Sequence, residues 1–104
     1  MKNSGKRPNQ GISDKWIIRY DPRAQSDIDK IDKGVVLRIK DAVENKLLKN
    51  PFLYSRSLSG FTSIYYKFRV GDYRIVFRVE GKLLIFVILI SHRKDVYKKL
   101  INRI

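Results

Sequence analysis

From Ile64 onward the chain alternates. Ile64, Tyr66, Phe68 and Val70 fall on one side of an extended segment, and Tyr65, Lys67 and Arg69 fall on the other. Gly71-Asp72 breaks the run as a tight turn, after which Tyr73, Ile75, Phe77 and Val79 alternate with Arg74, Val76 and Arg78. Glu80-Gly81 reads as a second two-residue hairpin turn. Leu83–Ile90 is apolar on both faces, which predicts the central strand, covered by helices on one side. This half of the chain is therefore an antiparallel meander. Its core side is built by Ile64, Tyr66, Phe68, Val70, Tyr73, Ile75 and Phe77.

Upstream the period lengthens. The short apolar run Trp16-Ile17-Ile18, continuing to Tyr20, predicts a first strand. Asp21-Pro22 starts a helix, because Asp caps and Pro suits the first helical position. Ala24, Ile28 and Ile31 follow at helical spacing, and Lys33-Gly34 ends that helix. Val35, Val36, Ile39, Val43 and Leu47 form the stripe of a second helix over 35–48, stopped by Asn50-Pro51. Residues 52–62 (FLYSRSLSGFT) read as a Ser-rich loop. A terminal helix from about Asp95 carries Tyr97, Leu100, Ile101 and Ile104 as its stripe. The expected architecture is α+β: a strand, two N-terminal helices packed on the meander, and a short C-terminal helix. One sheet face, and the edge beside the last helix, stay open for function.

Composition narrows this picture. A chain of 104 residues supports one modest core, assigned here to residues 14–104, with residues 1–13 as a flexible basic tail. The net charge is +13 and the pI near 10.2, a self-repulsion that an anionic partner would relieve. Nucleic acid, an anionic membrane surface and an acidic protein are the candidates. Residues 64–104 hold ten Lys or Arg against Asp72, Glu80 and Asp95, a local balance of +7. Cysteine is absent, which excludes thiolate chemistry and is compatible with a cytoplasmic location. The run Leu83–Ile90 is too short to span a bilayer, which takes roughly 20 apolar residues. No apolar segment follows the basic N-terminus, so no secretory signal is expected.

The cations suggest a chemistry. When a ribose 2′-hydroxyl attacks its own phosphodiester, the transition state is a crowded dianion, stabilised by fixed cations beyond the monoanionic ground state. A base must take the 2′ proton and an acid must protonate the departing 5′ oxygen. No metal or cofactor is expected for this route, and one His with scattered carboxylates makes a poor metal set. Lys67 and Arg69 leave one strand face together, and Arg74 lies just past the hairpin. Arg93 ends the last strand, with Tyr97 one helical turn on. Crowded cations favour a neutral amine, which makes Lys67 the candidate base. Arg78, His92 and Lys94 are expected as outer RNA contacts. Each has a bland alternative: a solvated charge for Arg78 and Lys94, a strand-end structural role for His92, and core packing for Tyr97.

The strings YYKFRVGDYRIVFRV (Tyr65–Val79) and ISHRKDVYKKL (Ile90–Leu100) resemble the RelE branch of the RelE/ParE toxin superfamily, and the resemblance spans roughly residues 15–100. It implies a RelE-like fold and a ribosome-dependent endoribonuclease, the toxin of a type II toxin–antitoxin pair. Such toxins cut mRNA in the ribosomal A site and leave a 2′,3′-cyclic phosphate. Carried over, Lys67 is base or electrostatic stabiliser, Arg69 and Arg74 are phosphate clamps, and Arg93 contacts the leaving group or transition state. Tyr97 orients or stacks on the substrate. Tyr65 stands where relatives carry a second lysine, and the interval from Arg93 to Tyr97 is shorter than in some members. Some subfamilies use a Glu and a His for acid–base work, which leaves His92 open as a substitute. The family further implies an acidic antitoxin that wraps the toxin or displaces its last helix, and no membrane partner or small-molecule cofactor. The alternative on the same fold is a ParE-like gyrase poison without nuclease chemistry.

Overall fold

The computed structural model describes residues 15–58 and 64–104; the expected tail 1–13 lies outside them. Strand β1 (Ile17–Tyr20) leads into α1 (Pro22–Asp29), then α2 (Lys33–Ala42), which continues as a π-helical turn (Val43–Leu47). Asp21 caps α1 by accepting from the Arg23 N–H at 2.8 Å, a bond that holds its carboxyl below the ordinary carboxylate value. Helix α1 ends at Asp29, short of Ile31, and Gly34 lies inside the first turn of α2 rather than breaking a helix. The reason is Asp32, whose carboxylate accepts from the Gly34 N–H at 3.0 Å and so begins α2 earlier than the apolar stripe suggests. Ile39, Val43 and Leu47 are buried along that stripe.

The segment expected to be a loop over 52–62 is ordered in its first half. Pro51–Tyr54 forms a single helical turn, α3, with the Asn50 side chain accepting from the Leu53 N–H. Ser55–Ser57 forms β2, antiparallel to β3 (Tyr65–Val70), with Arg56 opposite Lys67. The remainder, 59–63, lies outside the described residues. Strand β4 (Tyr73–Glu80) follows the two-residue turn Gly71-Asp72, and Gly71 takes φ +59° there. The next connection has three residues, Gly81-Lys82-Leu83, because Glu80 pairs with Leu84 and stays in the ladder. Strand β5 (Leu84–His92) is interior rather than central. The sheet order is β1-β5-β4-β3-β2, with β1 parallel to β5 and every other pair antiparallel.

Helices α1 and α2 cover one sheet face, where Ala24, Ile39, Val43 and Leu47 pack on Phe68, Ile75, Phe77, Ile85, Val87 and Ile90. Ile64, expected in this core, is exposed just before β3. The opposite face is not wholly open. Helix α4 (Val96–Ile101) lays Val96 and Leu100 against Val76, Ile88 and Leu89, and Tyr65 and Leu58 are buried in the same cluster. The buried stripe of α4 is thus Val96 and Leu100, while Tyr97, Ile101 and Ile104 are exposed. Among the described residues no helix is long and apolar enough to cross a membrane.

Candidate functional site

Strand parity puts the cations on the face that α4 covers only in part. Across neighbouring strands Arg56 stands opposite Lys67, which stands opposite Val76; one step along, Arg69 faces Arg74, which faces Ser91. Arg93 follows β5, its N–H donating to the Asp72 carbonyl at 2.7 Å, so the turn after β5 is tied to the β3–β4 hairpin. Tyr97, on the first turn of α4, overhangs the same surface. Its hydroxyl accepts from Lys67 Nζ at 3.4 Å, and that nitrogen lies 5.8 Å from the ring centroid.

The result is a groove made of two adjoining hollows. One, of about 160 Å³, is lined by Lys67, Arg74, Arg93, Val96 and Tyr97. The other, of about 250 Å³, is lined by Tyr54, Arg56, Lys67, Arg69 and Arg74. Lys67 and Arg74 belong to both. Arg74 is the fixed point: its Nη1 donates to the Gly71 and Tyr73 carbonyls, both at 2.9 Å. Three further N–H donors of its fork remain on Nε and Nη2. Burial lowers its pKa from the ordinary arginine value, and Arg69 and Arg93 push the same way. Arg93 meets Asp72 only loosely, at 3.7 Å between two exposed side chains.

Like charges directly opposite on paired strands destabilise a sheet, and Arg69 opposite Arg74 is such a pair. Arg69→Thr should therefore stabilise the fold by roughly 0.2–1 kcal/mol, read as a higher urea midpoint with an unchanged slope. A lower midpoint would show that Arg69 contributes packing rather than repulsion.

The groove brings together all five residues expected at the centre. It does not include the three outer ones. Arg78 lies on the same face, but its Nε donates to Glu80 Oε2 at 2.6 Å and its guanidinium sits 4.7 Å from the Phe86 ring centroid. His92 lies across the sheet, edge-on to Tyr73, beside a cavity of about 430 Å³ that Asp27, Lys99 and Arg103 also line. An extra residue in β5 is the cause. Val76 pairs with Leu89 but Phe77 with Val87, so Ile88 is bulged and the parity of the strand reverses after it. Lys94 is exposed in the following turn, its N–H donating to His92 Nδ1 at 3.3 Å. Tyr54 and Arg56 are the groove residues that sequence reasoning missed. The Asn50 cap followed by Pro51 was a helix-start signal as much as a stop.

Comparison with known proteins bears on this arrangement. Sequence comparison with curated proteins gives no significant match. The model of the ParE toxin family, described as the ParE toxin of the type II parDE toxin–antitoxin system, matches residues 18–97. Among solved structures, a chain of the RelBE2 toxin–antitoxin complex from Mycobacterium tuberculosis superposes with TM-score 0.69 at 18% identity, covering 76% of this chain and 99% of that one. The isolated RelE toxin of E. coli gives 0.63 at 25% identity, covering 85% and 97%. A chain of the RelB–RelE antitoxin–toxin complex from Methanococcus jannaschii gives 0.57 at 26%, covering 75% and 93%. The chain belongs to the ParE toxin family, within the RelE/ParE superfamily of type II toxin–antitoxin toxins.

Proposed function

We propose that this toxin is a ribosome-dependent endoribonuclease that cuts mRNA by attack of a ribose 2′-hydroxyl on the adjacent phosphodiester. The observation that carries this reading is the convergence of Lys67, Arg74, Arg93 and Tyr97 on one hollow. Lys67 takes the 2′ proton, the 2′ oxygen bonds to phosphorus, and the bond to the 5′ oxygen breaks. A 2′,3′-cyclic phosphate and a 5′-hydroxyl result, the departing oxygen taking its proton from a water molecule and Lys67 returning to solvent the one it took. Arg69 and Arg74 hold the phosphoryl oxygens, and Arg93 offsets the charge developing on the leaving side. Tyr97 fixes Lys67 through their contact and offers its ring to the substrate. Arg78 and Lys94 extend the positive field beyond the groove. His92, on the far side of the sheet, takes no part in this scheme.

The partner that restrains the activity is an acidic antitoxin. Support comes from the net charge of +13 and from matched chains that occur in complexes titled as toxin with antitoxin. Working on mRNA in the ribosomal A site places the toxin in the cytoplasm.

A second reading has its own support, since the matching family model is that of ParE. It is a gyrase poison that uses the cationic face for binding without cleavage. Primer extension on mRNA after brief expression separates the two. Cuts inside translated codons that vanish in Arg93→Ala support the nuclease, whereas intact mRNA with stalled gyrase–DNA complexes supports the poison.

A further inference from the structure

We propose that Tyr54 and Arg56 form a second nucleotide subsite, on the opposite side of the scissile phosphate from Tyr97. The inference rests on the nuclease reading and assigns the half of the groove which that reading leaves unused. The two hollows share Lys67 and Arg74, so a phosphate held by that pair has one hollow on each side. Each hollow has a tyrosine in its wall, Tyr54 in one and Tyr97 in the other, 44% and 40% exposed. Aromatic rings flanking a cationic track are the usual means of holding single-stranded nucleic acid, since every base has a face to stack.

The second hollow is built to keep its ring in place. Pro51 is buried, and the Asn50 side chain caps the single turn of α3, so the backbone below Tyr54 is fixed. Phe52 packs edge-on against Trp16 and Tyr66, anchoring the same turn on the sheet. Lys46 Nζ lies over the Tyr54 ring, 5.9 Å from its centroid. Arg56 sits directly opposite Lys67 across the β2–β3 ladder, and among the described residues its side chain has no ion pair. It can therefore take the phosphate next to the one that Lys67 and Arg74 hold.

The test uses purified ribosomes programmed with mRNA and the full-length toxin. Tyr54→Ala should lower kcat/KM for cutting by roughly 5- to 100-fold, the range a lost base stack gives. Tyr54→Phe should restore most of what Tyr54→Ala loses, because the ring and not the hydroxyl carries the contact. Arg56→Gln should flatten the salt dependence of cutting. With a 2′-O-methyl nucleotide blocking the cut, 4-thiouridine placed on one side should crosslink to the Tyr54 peptide. Placed on the other side, it should crosslink to the Tyr97 peptide. Wild-type rates in Tyr54→Ala, or both crosslinks falling on one tyrosine, would overturn the subsite while leaving the nuclease reading intact. A wild-type toxin that cuts nothing would overturn the nuclease reading, and the subsite with it.

Discussion

Asp27→Ala should unfold this protein more readily than any surface change, lowering its stability by about 3–5 kcal/mol. Both carboxylate oxygens of Asp27 are taken by Arg103, at 2.7 Å each, and Oδ2 also accepts from the Ile90 N–H at 2.9 Å. Arg103 in turn donates to the carbonyl of Ile88, the bulged residue of β5, at 2.8 Å. The side chains are 10% and 15% exposed, so water is a poor substitute for a missing partner. The hydrogen bonds to Asp27 raise the pKa of Arg103 against the opposing effect of burial, and a guanidinium stays a cation even when that partner is removed. Truncating Asp27 therefore leaves a largely buried charge and a buried N–H unsatisfied at once. Asp27→Asn should cost less, because the amide oxygen still accepts from Ile90. Asp27→Ala combined with Arg103→Met should recover part of the loss by removing the orphaned charge. Urea titration of the three variants, with slopes unchanged, measures this. A single-variant loss under about 1 kcal/mol would place the pair among ordinary surface bridges.

That clamp marks where the sequence was legible and where it was not. The hairpin from Tyr65 to Val79 could be read residue by residue. Most of its apolar side chains share the face packed on α1 and α2, so a slip of register would turn Tyr66, Phe68, Ile75 and Phe77 out of that core, and the pattern records which face is which. Lys67, Arg69 and Arg74 were found on one face for that reason. Strand β5 gave no such record. Its run Leu84–Ile90 is apolar on both faces, and a bulge inside a uniform run leaves no trace in the pattern, so the reversal that sends His92 away from the groove could not be seen. The same uniformity hid the covering of the second face by α4, since Ile88 and Leu89 need burial as much as Val87 and Ile90. In α4 the helical period was read correctly but its phase was not: Val96 and Leu100 face the sheet, and Tyr97 faces the groove. Tyr54 and Arg56 were lost for another reason. The surrounding segment is rich in Ser, which reads as a loop, and β2 gains its strand character only from pairing with β3. Asp27 and Arg103, 76 residues apart, could be joined only by the fold.

On the proposed nuclease reading, Arg74→Ala should slow mRNA cutting by roughly 10²- to 10³-fold in kcat while leaving the fold as stable as before, or slightly more so. The kinetic loss follows from position. Arg74, like Lys67, lines both hollows, so its guanidinium can serve the phosphate whichever way the chain runs through the groove. It is also the best-organised cation there, anchored through Nη1 to two backbone carbonyls, which spares the reaction the cost of ordering it. The stability side follows from electrostatics. Removing Arg74 relieves its repulsion with Arg69 and Arg93, and of the groups it releases the Gly71 carbonyl lies at an exposed turn and the Tyr73 carbonyl is only part-buried. Arg74→Lys should recover little activity. A lysine carries one nitrogen on a flexible stem and cannot bond the turn carbonyls while also presenting a planar fork to phosphate. Single-turnover cutting of programmed ribosomes gives the rate, and urea titration gives the stability. A mutant that cuts at the wild-type rate would remove Arg74 from the transition state. One that unfolds easily would show that its bonds to Gly71 and Tyr73 serve the hairpin before they serve the substrate.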